Sequence, residues 1–187
     1  MRRSQILDAT IAVIAEHGAA GLSLQSVADV VGITKAAVIY HVGTKQQLVK
    51  ETYEHVLARY IDHIAREVDA APDPRSAVVA YLRAQTAWLQ SNRDSARLIV
   101  EALATSDAGI EDAPHSPRRH DALTAMLTEA LGLDEGAARI RAVVLAGATD
   151  AAISAWLDDP GFDVTAATEV IEDIALMAPV TPQPGSR

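Results

Sequence analysis

Apolar residues recur at spacings of three and four along nearly the whole chain, and no segment sustains a period-two alternation. That pattern predicts an all-α fold of about nine helices. A first helix over 4–17 would gather Ile6, Leu7, Ile11 and Ile14 on one face, with Gly18 and Gly21 bracketing its exit. A long helix over 45–68 carries Leu48, Tyr53, Val56, Leu57, Tyr60 and Ile64 and is expected to link an N-terminal head to a body. Ala71-Pro72-Asp73-Pro74 is the clearest break, with Asp73 placed to cap and Pro74 suited to a first helical turn. Helices follow over 74–89 and 94–104, parted by Ser91-Asn92, and 105–116 has the composition of a loop. Another helix restarts at Ser116-Pro117 and stops at Gly132. Asp134 caps one that runs to Leu157, and Asp163 caps the last, through Met177. The expected organisation is a head over 1–48, a helical body over 49–178 and a Pro-rich, disordered tail over 179–187.

The stretch 23–45, SLQSVADVVGITKAAVIYHVGTK, is locally the most determined. Ser23 can N-cap a short helix, with Leu22 and Val27 at the spacing of a hydrophobic staple. Gly32 follows the apolar run and reaches a left-handed conformation without a Cβ penalty. Thr34 then caps a second helix, with Ile33 and Val38 repeating the staple. Thr44 caps a third, with Gln47 at the reciprocal capping-box position. Two short helices across a tight turn form a helix–turn–helix, whose second helix can be laid into a DNA groove.

Composition narrows the classes. The 187 residues are 49% apolar but only 4% aromatic, and alanine is abundant, which favours closely packed helices over a β-sandwich. Without cysteine, disulfides, thiolate catalysis and cysteine-ligated zinc are excluded. The start, MRRSQILDAT, reads as an amphipathic helix, not a signal peptide. No stretch approaches 18 uncharged apolar residues, which argues against a membrane span and for a cytoplasmic chain. The net charge of −9 is unevenly spread. Residues 1–50 hold five basic residues (Arg2, Arg3, Lys35, Lys45, Lys50) against Asp8, Glu16 and Asp29, a net of +2, which leaves −11 on the remainder. A mildly basic head on an acidic body is compatible with DNA binding, since only the contacting face must meet phosphate.

The order of helix, helix–turn–helix, linker helix and acidic helical body resembles the TetR family of bacterial transcriptional regulators. The resemblance lies in residues 3–50: Ile6-Leu7-Asp8-Ala9, Gly18, Leu22-Ser23-Leu24, Val27-Ala28, Gly32-Ile33-Thr34-Lys35, Tyr40-His41-Val42, Thr44-Lys45 and Leu48. It implies a DNA-binding head, and a ligand-binding, dimerising body. Two positions depart from the pattern. Ile39 stands where the family usually has a tyrosine that meets a phosphate, and Val42 replaces the usual phenylalanine.

Thr34 to His41 would be the recognition helix, with Lys35, Ala36, Ala37 and Tyr40 outward and Val38 inward. An alanine methyl can meet a thymine methyl, and Lys35 suits guanine O6 and N7. Gln25 can reach a phosphate or an adenine edge. Lys45 opposes the macrodipole in the first turn of its helix, so helix stability does not explain it. A phosphate there would meet free N–H groups and the ammonium together. Tyr40 and His41, near the helix end, are expected to contact backbone rather than bases. The rival reading of Lys35 and Gln25 is an ordinary solvated face. Arg2 and Arg3 read either as a groove-tracking arm or as a frayed basic terminus.

In the body, Tyr81, Trp88, Arg97, Glu101, Met126 and Trp156 are candidate pocket lining, against the commoner reading of such aromatics as core. Glu111, Asp112, His115 and His120 lack a helix-spaced His pair or an HExxH, so no metal is expected. No cofactor is expected either. Ile140, Val143, Val144, Ala148, Ala151 and Ala152 on one helix, and Val164, Ala167, Val170, Ile171 and Ile174 on the other, make broad apolar faces. They serve either a monomer core or a homodimer, and by the resemblance they would form a four-helix bundle between subunits.

The leading expectation is therefore a homodimeric repressor, released from a near-palindromic double-stranded DNA operator by a small-molecule effector. A binding or carrier protein whose head does not engage DNA is the alternative. An enzyme is disfavoured by the lack of any nucleophile–base constellation.

Overall fold

The computed structural model describes residues 2–104 and 120–178, with side chains for 2–100 and 120–178. All the regular structure among them is helical: α1 (Arg2–Gly21), α2 (Leu24–Val31), α3 (Lys35–Val42), α4 (Lys45–Asp69), α5 (Pro74–Ser91), α6 (Arg93–Ala104), α7 (Asp121–Leu131), α8 (Glu135–Asp158) and α9 (Val164–Leu176). The all-α expectation holds. The expected loop at 105–116, the helix restart at Ser116-Pro117 and the tail lie outside the described residues. Two compact units divide the chain, Met1–Ile64 with Ala87–Arg119 and Ala65–Thr86 with His120–Arg187.

In the first unit α1 packs against α2, α3 and α6, and α2 packs against α3. Ile6, Ile14, Leu22, Val27, Ala28, Val38, Val42 and Leu48 fill the centre. The backbone of α1 breaks at Gly18, which adopts φ 70° and ψ 168°. A break of that kind strips carbonyls of the preceding turn of their helical donors. Arg97 of α6 supplies one, its Nη1 donating to the Ala15 carbonyl at 3.0 Å. Trp88 stacks edge-on against Tyr60, with ring centroids 5.4 Å apart.

In the second unit α8 packs against α7 and α9. Caps start the elements as their sequences predict: Asp134 accepts from the Ala137 N–H, Asp163 from that of Ala166, and Asp73 from those of Arg75 and Ser76. The hydrogen bonds from Ser76 hold the Asp73 carboxyl below its usual range. Gly132 ends α7 at φ 63°. Arg83 of α5 grips Glu172 of α9 through two bonds, Nε to Oε1 at 2.7 Å and Nη2 to Oε2 at 2.8 Å. Beside it, the buried Thr168 hydroxyl donates to that of Thr86 at 3.2 Å. The C-terminus of α9 is closed by two cations, Arg75 on the Leu176 carbonyl and Arg141 on those of Ala175 and Met177. Positive groups are favourable at that end of a helix.

One helix bears on the question of a membrane span. Among the described residues α8 is long and apolar enough, by length and composition, to cross a membrane. Arg139, Arg141 and Asp150 interrupt α8, so it holds no uncharged run of 18 residues. Core helices of soluble proteins pass the same test, so this is weak support for a span.

The Arg83–Glu172 pair yields a stability prediction. The Glu172 side chain is only 10% exposed, so Arg83→Ala leaves a nearly buried carboxylate without its fork. The loss should be on the order of 1–2 kcal/mol in urea denaturation, moderated because the guanidinium itself is largely solvated. The double replacement Arg83→Met with Glu172→Leu should recover most of it.

Candidate nucleic-acid interface

The interface is built by three consecutive caps. Ser23 starts α2, its hydroxyl accepting from the Ser26 N–H at 2.9 Å while the Ser26 hydroxyl receives the Ser23 N–H at 3.1 Å. At the other end Gly32 turns left-handed (φ 71°, ψ 39°). The N–H groups of Gly32 and Ile33 both go to the Ala28 carbonyl. Thr34 then opens α3 by accepting from the Ala37 N–H at 3.1 Å. Thr44 opens α4 by accepting from the Gln47 N–H at 3.2 Å. The expected reciprocal bond from Gln47 does not form. Its amide donates instead to Glu51 Oε1 at 3.4 Å, because α4 continues and places Glu51 one turn on.

These caps leave α3 with one buried edge. Val38 and Val42 are buried, whereas Lys35, Ala36 and Tyr40 are exposed and Ala37 and His41 are half-buried. Tyr40 is 86% exposed and meets the His41 ring edge-on at 5.3 Å. Of the residues expected outward, Lys35, Ala36 and Tyr40 are exposed and Ala37 is half-buried, and Ile39 joins the exposed ones at 45%. Thr34, Thr44 and Lys45 are exposed at the two helix starts. Gln25, on α2, is exposed but engaged: its amide donates to Asp29 Oδ1 at 2.7 Å.

Arg3 is neither arm nor frayed end. It lies within α1 and binds Glu51 at 2.6 Å. Glu51 is the residue that sequence reasoning missed, since nothing local links it to a partner 48 positions away. The second Glu51 oxygen, Oε2, is buried without a hydrogen bond. Asp8 of α1 lies 3.6 Å from His55 and 4.0 Å from Arg59, both on α4.

A protein-family model for bacterial regulatory proteins of the tetR family matches residues 6–52, a span that takes in all these caps and the whole of α3. Residues 6–52 thus carry the signature of the tetR family's regulatory proteins. Curated relatives include the HTH-type transcriptional regulator BetI of Paraburkholderia xenovorans, 38% identical over 85 residues, which are 45% of this chain and 44% of that protein. BetI of Rhizobium meliloti is 29% identical over 83 residues, 44% of this chain and 41% of that one. The matched stretch thus spans less than half the length of these relatives. Solved structures extend the likeness to the fold of nearly the whole chain. The fatty acid degradation regulator FadR from Bacillus halodurans superposes with a TM-score of 0.79 at 20% identity, covering 93% of this chain and 94% of that one. SmeT, the repressor of the Stenotrophomonas maltophilia multidrug efflux pump SmeDEF, gives 0.75 at 23%, covering 93% and 88%.

The other candidates fall in both units. Trp88 and Arg97 lie in the first unit with the packing and carbonyl contacts described above, and Tyr81, Met126 and Trp156 lie half-buried in the second. The Glu101 side chain is outside the described residues, as are Glu111, Asp112 and His115. No group of three or more metal-ligating side chains occurs among the described residues. The apolar faces of α8 and α9 divide. Ile140, Val143, Val144, Ala151, Val170 and Ile174 are exposed, and Ala148 and Ala167 are half-buried. Ala152, Val164 and Ile171, expected at an interface between subunits, are buried within the protomer, in which α9 packs on α8.

The turn between α2 and α3 can be tested directly. A methyl at Gly32 would meet nothing within 4 Å, so any cost is conformational rather than steric. Gly32→Ala should destabilise the protein by about 1 kcal/mol through its left-handed backbone, measured by chemical denaturation.

Proposed function

We propose that this chain is a ligand-responsive, DNA-binding transcriptional regulator of the bacterial cytoplasm, a homodimeric repressor released from its operator by a small molecule. The observation that carries the reading is α3, buried through Val38 and Val42 and exposed along Lys35, Ala36 and Tyr40. Its bulk outside the core is small at Ala36 and Ala37, so the helix can approach a groove floor closely. Thr34, Lys35, Ala36 and Ala37 would face base edges, with Tyr40, His41, Thr44 and Lys45 on the sugar–phosphate backbone. Gln25 would join them only by leaving Asp29 or by using its remaining amide hydrogen. Residues 1–48 serve as the head in this reading, and 49–178 as the ligand-binding and dimerising body.

The exposed stripe of α8 and α9 supports the dimer. Ile140 is 70% and Val144 58% exposed, and Val170 on α9 is also 58% exposed. Several large apolar side chains left together in water are the usual mark of a subunit interface. A two-fold dimer presents its heads to half-sites about 34–36 Å apart, or a multiple, so the operator should be near-palindromic. The effector would bind better to a form whose head spacing mismatches the DNA, and the shift cannot exceed that difference in affinity. Tyr81, Trp88, Arg97, Glu101, Met126 and Trp156 remain the residues proposed for it. FadR from Bacillus subtilis was solved in complex with stearoyl-CoA, and SmeT is the repressor of a multidrug efflux pump. The effector's chemistry is therefore not carried over.

Lys35→Ala should weaken binding to a selected operator by about 1–3 kcal/mol and relax preference at one base position. Lys45→Ala should weaken binding to all sequences alike and flatten the dependence on salt by about one unit of slope. Fluorescence anisotropy over a salt series distinguishes the two, and unchanged affinity and preference in Lys35→Ala would contradict the contact assigned to it. For the dimer, Val144→Glu should give a folded monomer by analytical ultracentrifugation while the unmodified chain sediments as a dimer.

A further inference from the structure

Ile39 has no hydrogen-bonding group, yet it stands 45% exposed on α3. Helical spacing puts it one turn beyond Lys35 and Ala36, beside Tyr40, on the side of the helix that Val38 and Val42 leave free. A scattered exposed isoleucine is ordinary on a protein surface. This one shares its exposed face with a lysine, an alanine and an 86% exposed tyrosine, and the described head residues expose few other large apolar groups. Its chemistry restricts what it can meet in a major groove. It cannot bind phosphate or the donors and acceptors of base edges, whereas the thymine C5-methyl is an apolar group displayed there. A β-branched side chain in a helix is also held in one dominant rotamer, so its methyls are presented in a fixed place at little entropic cost.

We infer that Ile39 is a specificity-determining residue that reads a thymine methyl, in the half-site where Lys35 contacts guanine. The inference rests on the DNA-binding reading above and deepens it. The apolar contact would give α3 a base preference that its single long donor, Lys35, does not supply.

The test is a coupling measurement with the full chain. DNA fragments are first selected from a random pool, and each thymine of the selected site is then replaced, in both half-sites together, by deoxyuridine, which lacks only the methyl. Unmodified protein, Ile39→Ala and Ile39→Val are compared on every fragment. At one thymine position the replacement should weaken the unmodified protein about fourfold per half-site, the worth of one buried methyl group. It should leave Ile39→Ala unaffected, with Ile39→Val between the two. Circular dichroism checks that the variants fold, and Ile39→Val keeps the comparison open should the alanine variant not. Equal weakening of all three proteins at every thymine, or a selected half-site without thymine, would overturn the inference while leaving DNA binding intact. Failure to enrich any fragment would instead overturn the DNA-binding reading, and this inference with it.

Discussion

The left-handed turn at Gly32 is the constraint on which the head depends. It ends α2 after one apolar run and releases the chain to start α3 two residues later, at Thr34. The carbonyl of Ala28 takes both N–H groups that the turn would otherwise leave unpaired. Ala28 and Val27 are themselves fully buried, as is Val38 across the turn. Backbone conformation, hydrogen bonding and packing thus converge on one angle between the two helices. Only with that angle fixed does the face of Lys35, Ala36, Ile39 and Tyr40 have a direction.

A second layer of interactions keeps the head on its supports. Arg3 on Glu51 and Asp8 beside His55 and Arg59 tie the start of α1 to α4. Arg97 repairs the broken exit of α1 at Ala15. In the other unit, Arg83, Arg75 and Arg141 bind α9 along one side and at its end. Arginines do most of this work because one planar fork can satisfy a carboxylate or freed carbonyls and remain partly hydrated. Of the three that bind α9, only Arg83 meets a carboxylate, and the basic residues left outward on the head are few.

Local signals were legible in the sequence and distant ones were not. Ser23, Gly32, Thr34, Asp134 and Asp163 act within four residues of themselves, and each does what its position predicts. Arg3 with Glu51, and Arg83 with Glu172, join residues 48 and 89 apart, a separation no periodicity encodes. The apolar faces of α8 and α9 were visible, but both sides of α8 are apolar, so the inward side was not. The pattern alone does not specify the burial of Ala152, Val164 and Ile171. Ile39 shows the same limit at the site. As a departure from the family it reads as a missing phosphate contact, and only its exposure beside Lys35 and Tyr40 gives it a role of its own.

The central claim is that α3 and its symmetry mate read DNA together. Selection of bound fragments from a random duplex pool, followed by footprinting of the enriched site with the full chain, tests it most directly. The account predicts a near-palindrome protected at two half-sites spaced by a whole number of helical turns, about 34–36 Å each, with one dimer bound per site. No enriched sequence at low salt, or a single unpaired half-site bound by a monomer, would contradict it.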